Sequence, residues 1–304
     1  MTHGSTNADI RSGYCTVGQA SGSPVQLHYE IRGRSDAKEK VVLIMGYLIS
    51  GYAWKLQADF LASQGYQACF FDNRGVGRSD APLGAYTTSG MAKDALDLLQ
   101  HLGWTSNVHI VGISMGGMIS LELGLIAPPG MIASLILTST HAGRTLVPFA
   151  GLLALWRSML CISVAARTHS NTKLLYPAAW LDAAAPEKSG YKTNRDKILV
   201  GMLETAKAAP EPKITGVMGQ TSAVIRHFVS TTSLHKIRDK GLPILVVTGT
   251  EDLLVRPSNS HHLAKELDAR IEIFNGSGHV VPVEQEEKYN KLLLEFIVDA
   301  SRHH

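Results

Sequence analysis

Gly112-Ile113-Ser114-Met115-Gly116 follows the apolar run Val108-His109-Ile110-Val111 and precedes a helical run from Met118 to Ala127. A serine between two glycines, at the point where a strand turns sharply into a helix, is held outward with its hydroxyl presented as a nucleophile. The glycines are required sterically, because a side chain at 112 or 116 would collide with the neighbouring backbone in so tight a turn. The pentapeptide by itself is common. Its placement between strand and helix carries the reading, and the plain alternative is a loop serine beside a packing glycine.

Outward from this turn, strand and helix signals alternate, as they do in a mostly parallel sheet covered on both faces. Val25 to Ile31 alternates like an early antiparallel strand, and Val41 to Met45 is an apolar run suited to a buried parallel strand. Tyr52 to Gln64 reads as a helix and Gln67 to Phe71 as the next strand. Thr87 to Leu102 has helical spacing, with Ala92, Ala95, Leu96 and Leu99 on one face. Ile132 to Leu137 is a further buried strand. The alternation then stops: residues 141–240 read as helical, broken by Pro177, Pro186, Pro210 and Pro212. It resumes with strands at Pro243 to Thr248 and Arg270 to Phe274, and helices at Pro257 to Leu267 and Glu284 to Ala300. The expected organisation is a doubly wound α/β core built from residues 1–140 and 241–304, with a helical insertion over 141–240.

Composition limits the function classes. The 304 residues are 45% hydrophobic, enough for a large core. The formal charge of +3, from 29 basic and 26 acidic residues without a basic block, gives nucleic-acid binding no electrostatic support. Cys15, Cys69 and Cys161 are widely spaced and read as reduced packing residues. Met1 to Ser23 is polar and lacks the apolar stretch of a secretory signal, so a cytoplasmic protein is expected. Val147 to Ala166 approaches membrane length but contains Pro148 and a central Arg157, which argues against stable membrane insertion. No metal-ligand spacing appears, and neither a metal nor another cofactor is expected. Oligomeric state has no signature here.

A serine hydroxyl attacks only when a base takes its proton and a carboxylate orients that base. Thr248-Gly249-Thr250-Glu251-Asp252 puts Asp252 on a loop after a strand, and Gly276-Ser277-Gly278-His279 puts His279 on a short glycine-flanked loop after the last one. Glu251 is the neighbouring rival to Asp252, and His141 is the rival histidine near the site. His261 and His262 read as surface residues and His109 as core. Asp72 to Ser79, with Gly-x-Gly beside Asp and Arg, reads as a structural turn: it has no third glycine at the required offset and no P-loop lysine.

Taken together, Leu43-Ile44-Met45-Gly46, Asp72 to Ser79, the Ser114 turn, Gly249 to Asp252 and Gly278-His279 resemble the α/β-hydrolase-fold serine hydrolases from about Val25 to Ala300. The resemblance implies the order Ser114, Asp252, His279 as nucleophile, acid and base. Its Gly-x-x-Asp pattern selects Asp252 over Glu251. It also implies an oxyanion hole from the amides of Tyr47 and Met115. Many relatives have His-Gly where this chain has Met45-Gly46, but the donor is the amide of the next residue. Relatives that open epoxides or displace halides carry aspartate in place of Ser114.

In that family an insertion such as 141–240 lies over the nucleophile. Leu152, Leu155, Trp156, Met159 and Leu160 make one apolar helix face, which roofs an acyl pocket, packs the insertion on the core or makes transient contact with lipid. Trp180 and Tyr176 add aromatic surface, and His141 is a candidate pocket residue. The expected partner is a small-molecule ester-like substrate, small to medium and apolar, cleaved through an acyl-enzyme on Ser114. A perhydrolase, a carbon–carbon bond hydrolase and a small-molecule receptor with a retained triad use the same residues. Turnover separates the receptor from the enzymes.

Overall fold

The computed structural model describes residues 9–20, 22–143, 153, 172 and 174–302. Eight strands form one sheet: β1 (Ile10–Val17), β2 (Val25–Arg32), β3 (Lys40–Ile44), β4 (Gln67–Phe71), β5 (Val108–Ile113), β6 (Ile132–Thr138), β7 (Ile244–Gly249) and β8 (Arg270–Phe274). Their spatial order is β1-β2-β4-β3-β5-β6-β7-β8. β2 runs antiparallel to both neighbours, and β3 to β8 are parallel.

The helices are α1 (Lys55–Ser63), α2 (Thr88–His101), α3 (Met115–Ile126), α4 (Ala178–Asp182), α5 (Asn194–Ala208), α6 (Ile214–Arg226), α7 (Thr231–Arg238), α8 (Pro257–Leu267), α9 (Val281–Glu284) and α10 (Glu286–Ser301). The apolar runs of the parallel strands split between two cores because successive side chains point to opposite faces. Val42, Ile44, Ile110, Leu135 and Val246 pack with Leu98 of α2, Ile119 of α3, Leu234 of α7 and Leu263 of α8. Val41, Leu43, Val111, Ile136 and Val247 pack with Leu61 of α1 and Leu293 of α10 on the other face.

Several element ends differ from the sequence expectation, and each has a local cause. Gly51–Trp54 is a 3-10 turn ahead of α1, so the expected helix at Tyr52 starts at Lys55. The Ser50 hydroxyl accepts the Tyr52 amide and ends the preceding loop. α3 begins at Met115, directly after the serine, instead of at Met118. The closing helix is divided into α9 and α10 around Gln285, whose φ of −125° and ψ of 48° are not helical.

β1 is absent from the sequence expectation because its outer face is solvated. In IRSGYCTV only Cys15 and Val17 are buried, and the strand exists by pairing residue for residue with β2, from Ile10 opposite Arg32 to Val17 opposite Val25.

Between β6 and β7 the described residues hold helices and two isolated bridges, with no sheet strand. α4, α5 and α6 lie in this segment, and α7, also within residues 141–240, packs against α3 and α8. Leu152, Trp156 and Met159 fall outside the described residues, as do Leu155, Leu160, Cys161 and the Val147 to Ala166 run apart from Leu153. Among the described residues no helix is long and apolar enough to cross a membrane, and no group of side chains could hold a metal ion.

The Asp72 to Ser79 turn is structural in detail. Asp72 accepts the Ser50 hydroxyl at 2.5 Å and the amides of Gly51 and Arg78 at 2.9 Å each. Burial raises its pKa, but these bonds and the contact with His28 outweigh that and leave it lowered. Arg74 clasps Asp94 with both ends of its guanidinium, at 2.5 and 2.6 Å. These bonds tie the ends of β3 and β4 to α2.

Candidate active site

Because β3 to β8 are parallel, the loops after β3, β5, β6, β7 and β8 all leave the same edge of the sheet. Those loops carry Tyr47, Ser114, His141, Asp252 and His279 in that order along the chain. An edge of this kind, at the carboxyl ends of the strands, is where open α/β sheets place their chemistry.

Ser114 sits where β5 becomes α3. Its amide makes the last ladder contact, donating to Thr138 at 2.9 Å, while its carbonyl already accepts the Met118 amide at 3.1 Å. No residue intervenes between strand and helix, so the backbone must bend within one residue, and Ser114 takes φ 55° and ψ −120°. A non-glycine residue in such a conformation costs about 1–3 kcal/mol and persists only where the surroundings hold it. Thr140 helps to hold it, donating its hydroxyl to the Ser114 carbonyl at 2.7 Å. Gly112 is required for the reason expected from the sequence, and Gly116 because the neighbouring strand β3 passes against it. A Cβ on Gly112 would lie 2.4 Å from the Gly116 carbonyl oxygen, and one on Gly116 would lie 2.0 Å from that of Ile44.

The loop after β3 abuts the serine. A Cβ on Gly46 would lie 3.2 Å from Ser114 Cβ and 3.8 Å from Ser114 Oγ. This puts the Gly46–Tyr47 peptide beside the hydroxyl, with the Met115 amide at the start of α3 next to it in sequence. Asn73 donates to the Met45 carbonyl at 2.9 Å and secures the root of the loop.

Asp252 and His279 are brought together. His279 Nδ1 lies 2.9 Å from Asp252 Oδ2, and both residues are buried, with 4% of each exposed. Oδ1 of Asp252 accepts the amides of Leu254 and Val255 at 2.8 Å each. Glu251, the sequence rival, is exposed, and no hydrogen bond to its carboxylate is seen among the described residues. The carboxylate in contact with the imidazole is that of Asp252.

His141 is buried between these loops. Its Nδ1 accepts the Gly143 amide at 2.9 Å, which leaves the ring proton on Nε2. Burial, and then the charge of His279, push its pKa down to about 4. Behind it, His227 donates from Nε2 to the His141 carbonyl at 3.1 Å and meets Thr88 Oγ1 at 2.9 Å through Nδ1. Burial, and then His141, push His227 down to about 3. Trp180, the described aromatic of the expected pocket set, stacks on Tyr176 at 5.4 Å in a satellite cluster with Leu181 and Ile198. That cluster borders the His279 loop, since the His279 amide donates to the Leu175 carbonyl at 2.9 Å.

Glu284 is a contributor that the sequence reading assigned only to the start of the last helix. Its carboxylate accepts the Gly278 amide at 2.8 Å and the Val280 amide at 3.2 Å, spanning His279. Burial first, and then the charge of Asp252, raise its pKa to about 7 against the pull of the two amides and His279. A carboxylate five residues after the histidine, directly after the apolar run Val280 to Val283, is the signal that could have found it.

A family model described as the α/β hydrolase fold matches residues 40–286 of the chain. A curated protein of Variovorax paradoxus, named a putative carbamate hydrolase RutD, is 29% identical over 283 residues, covering 90% of this chain and 97% of that protein. Among solved structures, the enol-lactonase of Burkholderia xenovorans superposes with a TM-score of 0.76 at 22% identity, covering 94% of this chain and 100% of that one. A thermophilic esterase of Thermogutta terrifontis gives 0.75 at 22% identity, covering 95% and 99%. At such identity the two structures share the fold of this chain.

Proposed function

The chain belongs to the α/β-hydrolase fold family, and we propose that it is a cofactor-free serine hydrolase cleaving carboxylic esters of small to medium apolar substrates. Ser114 Oγ attacks the ester carbonyl while His279 takes the hydroxyl proton. The oxyanion is met by the amides of Tyr47 and Met115. Collapse of the tetrahedral adduct breaks the bond to the leaving alkoxide, which takes the proton from His279. Water, deprotonated by the same imidazole, then releases the acid and restores the serine. Asp252 holds the imidazole with Nδ1 protonated, so that Nε2 is the basic nitrogen, and it stabilises the imidazolium. Of the described part of the segment between β6 and β7, α4 to α6 serve as a cap over this edge, and α7 belongs to the core. Cys15 and Cys69 are free buried thiols, which supports a reducing, cytoplasmic setting.

The observation that carries this reading is the 2.9 Å Asp252–His279 bond on the same sheet edge as a serine in a strained turn. The test is hydrolysis of p-nitrophenyl esters of increasing chain length by wild type and Ser114→Ala. Many turnovers per site in wild type and none in the variant are expected. Equal rates would overturn the assignment, and a single slow turnover would favour the receptor reading.

The name carried by the Variovorax relative favours a second reading, a carbamate substrate. Attack by Ser114 on the carbonyl of a carbamate ester expels its alcohol and leaves a carbamoyl group on the serine, which water releases as carbamic acid that breaks down to ammonia and carbon dioxide. Ammonia release from a carbamate, dependent on Ser114, would support it. Hydrolysis of esters with no ammonia released from a carbamate would leave the ester reading.

A further inference from the structure

The helix that reaches the oxyanion loop does not belong to the sheet. α6 lies between β6 and β7, yet Gln220, wholly buried, aims its side chain at the residue after Tyr47. Gln220 Oε1 accepts the Leu48 amide at 2.8 Å, and Gln220 Nε2 donates to the Arg74 carbonyl at 2.9 Å. The next residue, Thr221, meets the Tyr47 hydroxyl through Oγ1 at 2.6 Å. Two successive α6 residues therefore grip two successive residues of the loop.

The loop has reason to need the grip. Leu48 has φ 57°, a conformation a branched apolar residue adopts only when its surroundings impose it. The Tyr47–Leu48 peptide that this twist and the Gln220 bond hold adjoins the Gly46–Tyr47 peptide, whose N–H lies on the Ser114 side of the loop. α6 is itself seated closely. A Cβ on Gly216 would lie 1.9 Å from the Gly75 carbonyl oxygen, and one on Gly219 would lie 2.4 Å from the Tyr86 ring. The two small residues let the helix approach until a glutamine side chain spans the gap between the loops after β3 and β4.

We infer that Gln220 is a positioning residue for the oxyanion hole, linking the segment between β6 and β7 to the aim of the Tyr47 amide. This rests on the serine-hydrolase reading above. Donors pre-aimed at the developing charge help only when their orientation is held before the reaction, so loss of the anchor lowers kcat more than substrate affinity. Gln220→Glu keeps the acceptor for Leu48 and, as the neutral acid favoured by burial against the Arg74 carbonyl, keeps an O–H donor as well. Gln220→Leu loses both.

The experiment measures kcat and KM for p-nitrophenyl butyrate, inhibition by butylboronic acid, and thermal melting. The proteins are wild type, Gln220→Leu, Gln220→Glu, Thr221→Val and Ser114→Ala. Butylboronic acid forms a tetrahedral adduct on the serine, with an oxygen placed in the oxyanion hole. Gln220→Leu is expected to lower kcat on the order of 10- to 100-fold, less than the roughly 10²–10³ lost with a donor outright. Its KM should be nearly unchanged, and its boronate Ki should rise in proportion to the loss in kcat. Gln220→Glu should recover most of both. A folded Gln220→Leu with wild-type kcat and Ki overturns the inference, as does equal loss in the Leu and Glu variants. If Gln220→Leu does not fold, Gln220→Glu and Thr221→Val decide. A near-wild-type Glu variant together with a raised boronate Ki in Thr221→Val supports the inference, and any other pairing overturns it. Activity surviving in Ser114→Ala would instead defeat the underlying reading, so the two failures are distinct.

Discussion

Asp252 divides its carboxylate between two tasks. Oδ2 lies 2.9 Å from His279 Nδ1, and Oδ1 accepts the Leu254 and Val255 amides. The loop bonds hold the carboxylate still, and the free edge holds the imidazole. Asp252→Asn retains shape and can keep the loop bonds through its amide oxygen. It cannot fix the same imidazole tautomer with two acceptor oxygens. We expect kcat to fall by roughly 10³–10⁴ with little change in melting temperature, the pattern seen when the acid of such a relay is neutralised. Steady-state kinetics with circular-dichroism melting checks this, and a variant with unimpaired kcat would remove Asp252 from the mechanism.

Glycine 116 separates fold from chemistry. Ser114→Ala removes only the hydroxyl and is expected to melt like wild type with no esterase activity. Gly116→Ala forces a methyl to within 2.0 Å of the Ile44 carbonyl oxygen, which β3 cannot yield without leaving the sheet. Overpacking of well-packed interiors costs typically about 1–3 kcal/mol, and rigid backbone on both sides puts this site at the upper end or beyond. A Gly116→Ala protein as stable as wild type would contradict the elbow geometry.

Glu284 makes stability depend on pH. Its pKa is raised from 4.5 to about 7, chiefly by burial, so the folded protein favours the neutral carboxyl. Its contribution is complete below about 4.5 and is lost as pH rises through about 7. Melting temperatures of wild type and Glu284→Gln from pH 4 to 9 should therefore diverge across that window, with wild type losing ground as pH rises. Parallel curves would show that Glu284 does not titrate there. Glu284→Ala leaves the Gly278 and Val280 amides without their acceptor and should lower both kcat and melting temperature, because His279 sits between them.

The buried histidines act in the opposite sense. His141 and His227 are lowered from 6.5 to about 4 and about 3, first by burial and then by a neighbouring histidine's charge. The folded state keeps them neutral, so their contribution is present above 6.5 and is lost as pH falls through about 4 and then about 3. A His227→Gln variant, which keeps a donor for the His141 carbonyl, should show a shallower loss of melting temperature on acidification. An identical acid profile would show that His227 is not a source of that sensitivity.

How much was legible follows from which signals are local. The serine elbow could be read because strand, turn and helix are each written in a few adjacent residues, and the steric demand on Gly112 arises within the same turn, whereas that on Gly116 comes from the Ile44 carbonyl of β3. The buried parallel strands could be read because both faces are covered and their apolar runs are continuous. β1 could not: its outer face is solvated, and only pairing with β2 makes it a strand. The division of the last helix at Gln285 was hidden because a single non-helical residue leaves the apolar spacing intact.

The order of Ser114, Asp252 and His279 along the chain, each after a strand, is a property of the sequence, because element type and loop position are set by local pattern. Their meeting at one edge was decided by the parallel topology, which turns distant strand ends into neighbours. The sequence holds no period that links Leu48 to Gln220, 172 positions apart, or aims the Glu284 carboxylate at the amides on either side of His279. Those contacts arise because close packing carries the buried Gln220 and Glu284 side chains to amides on nearby loops, where each must satisfy the other in place of water.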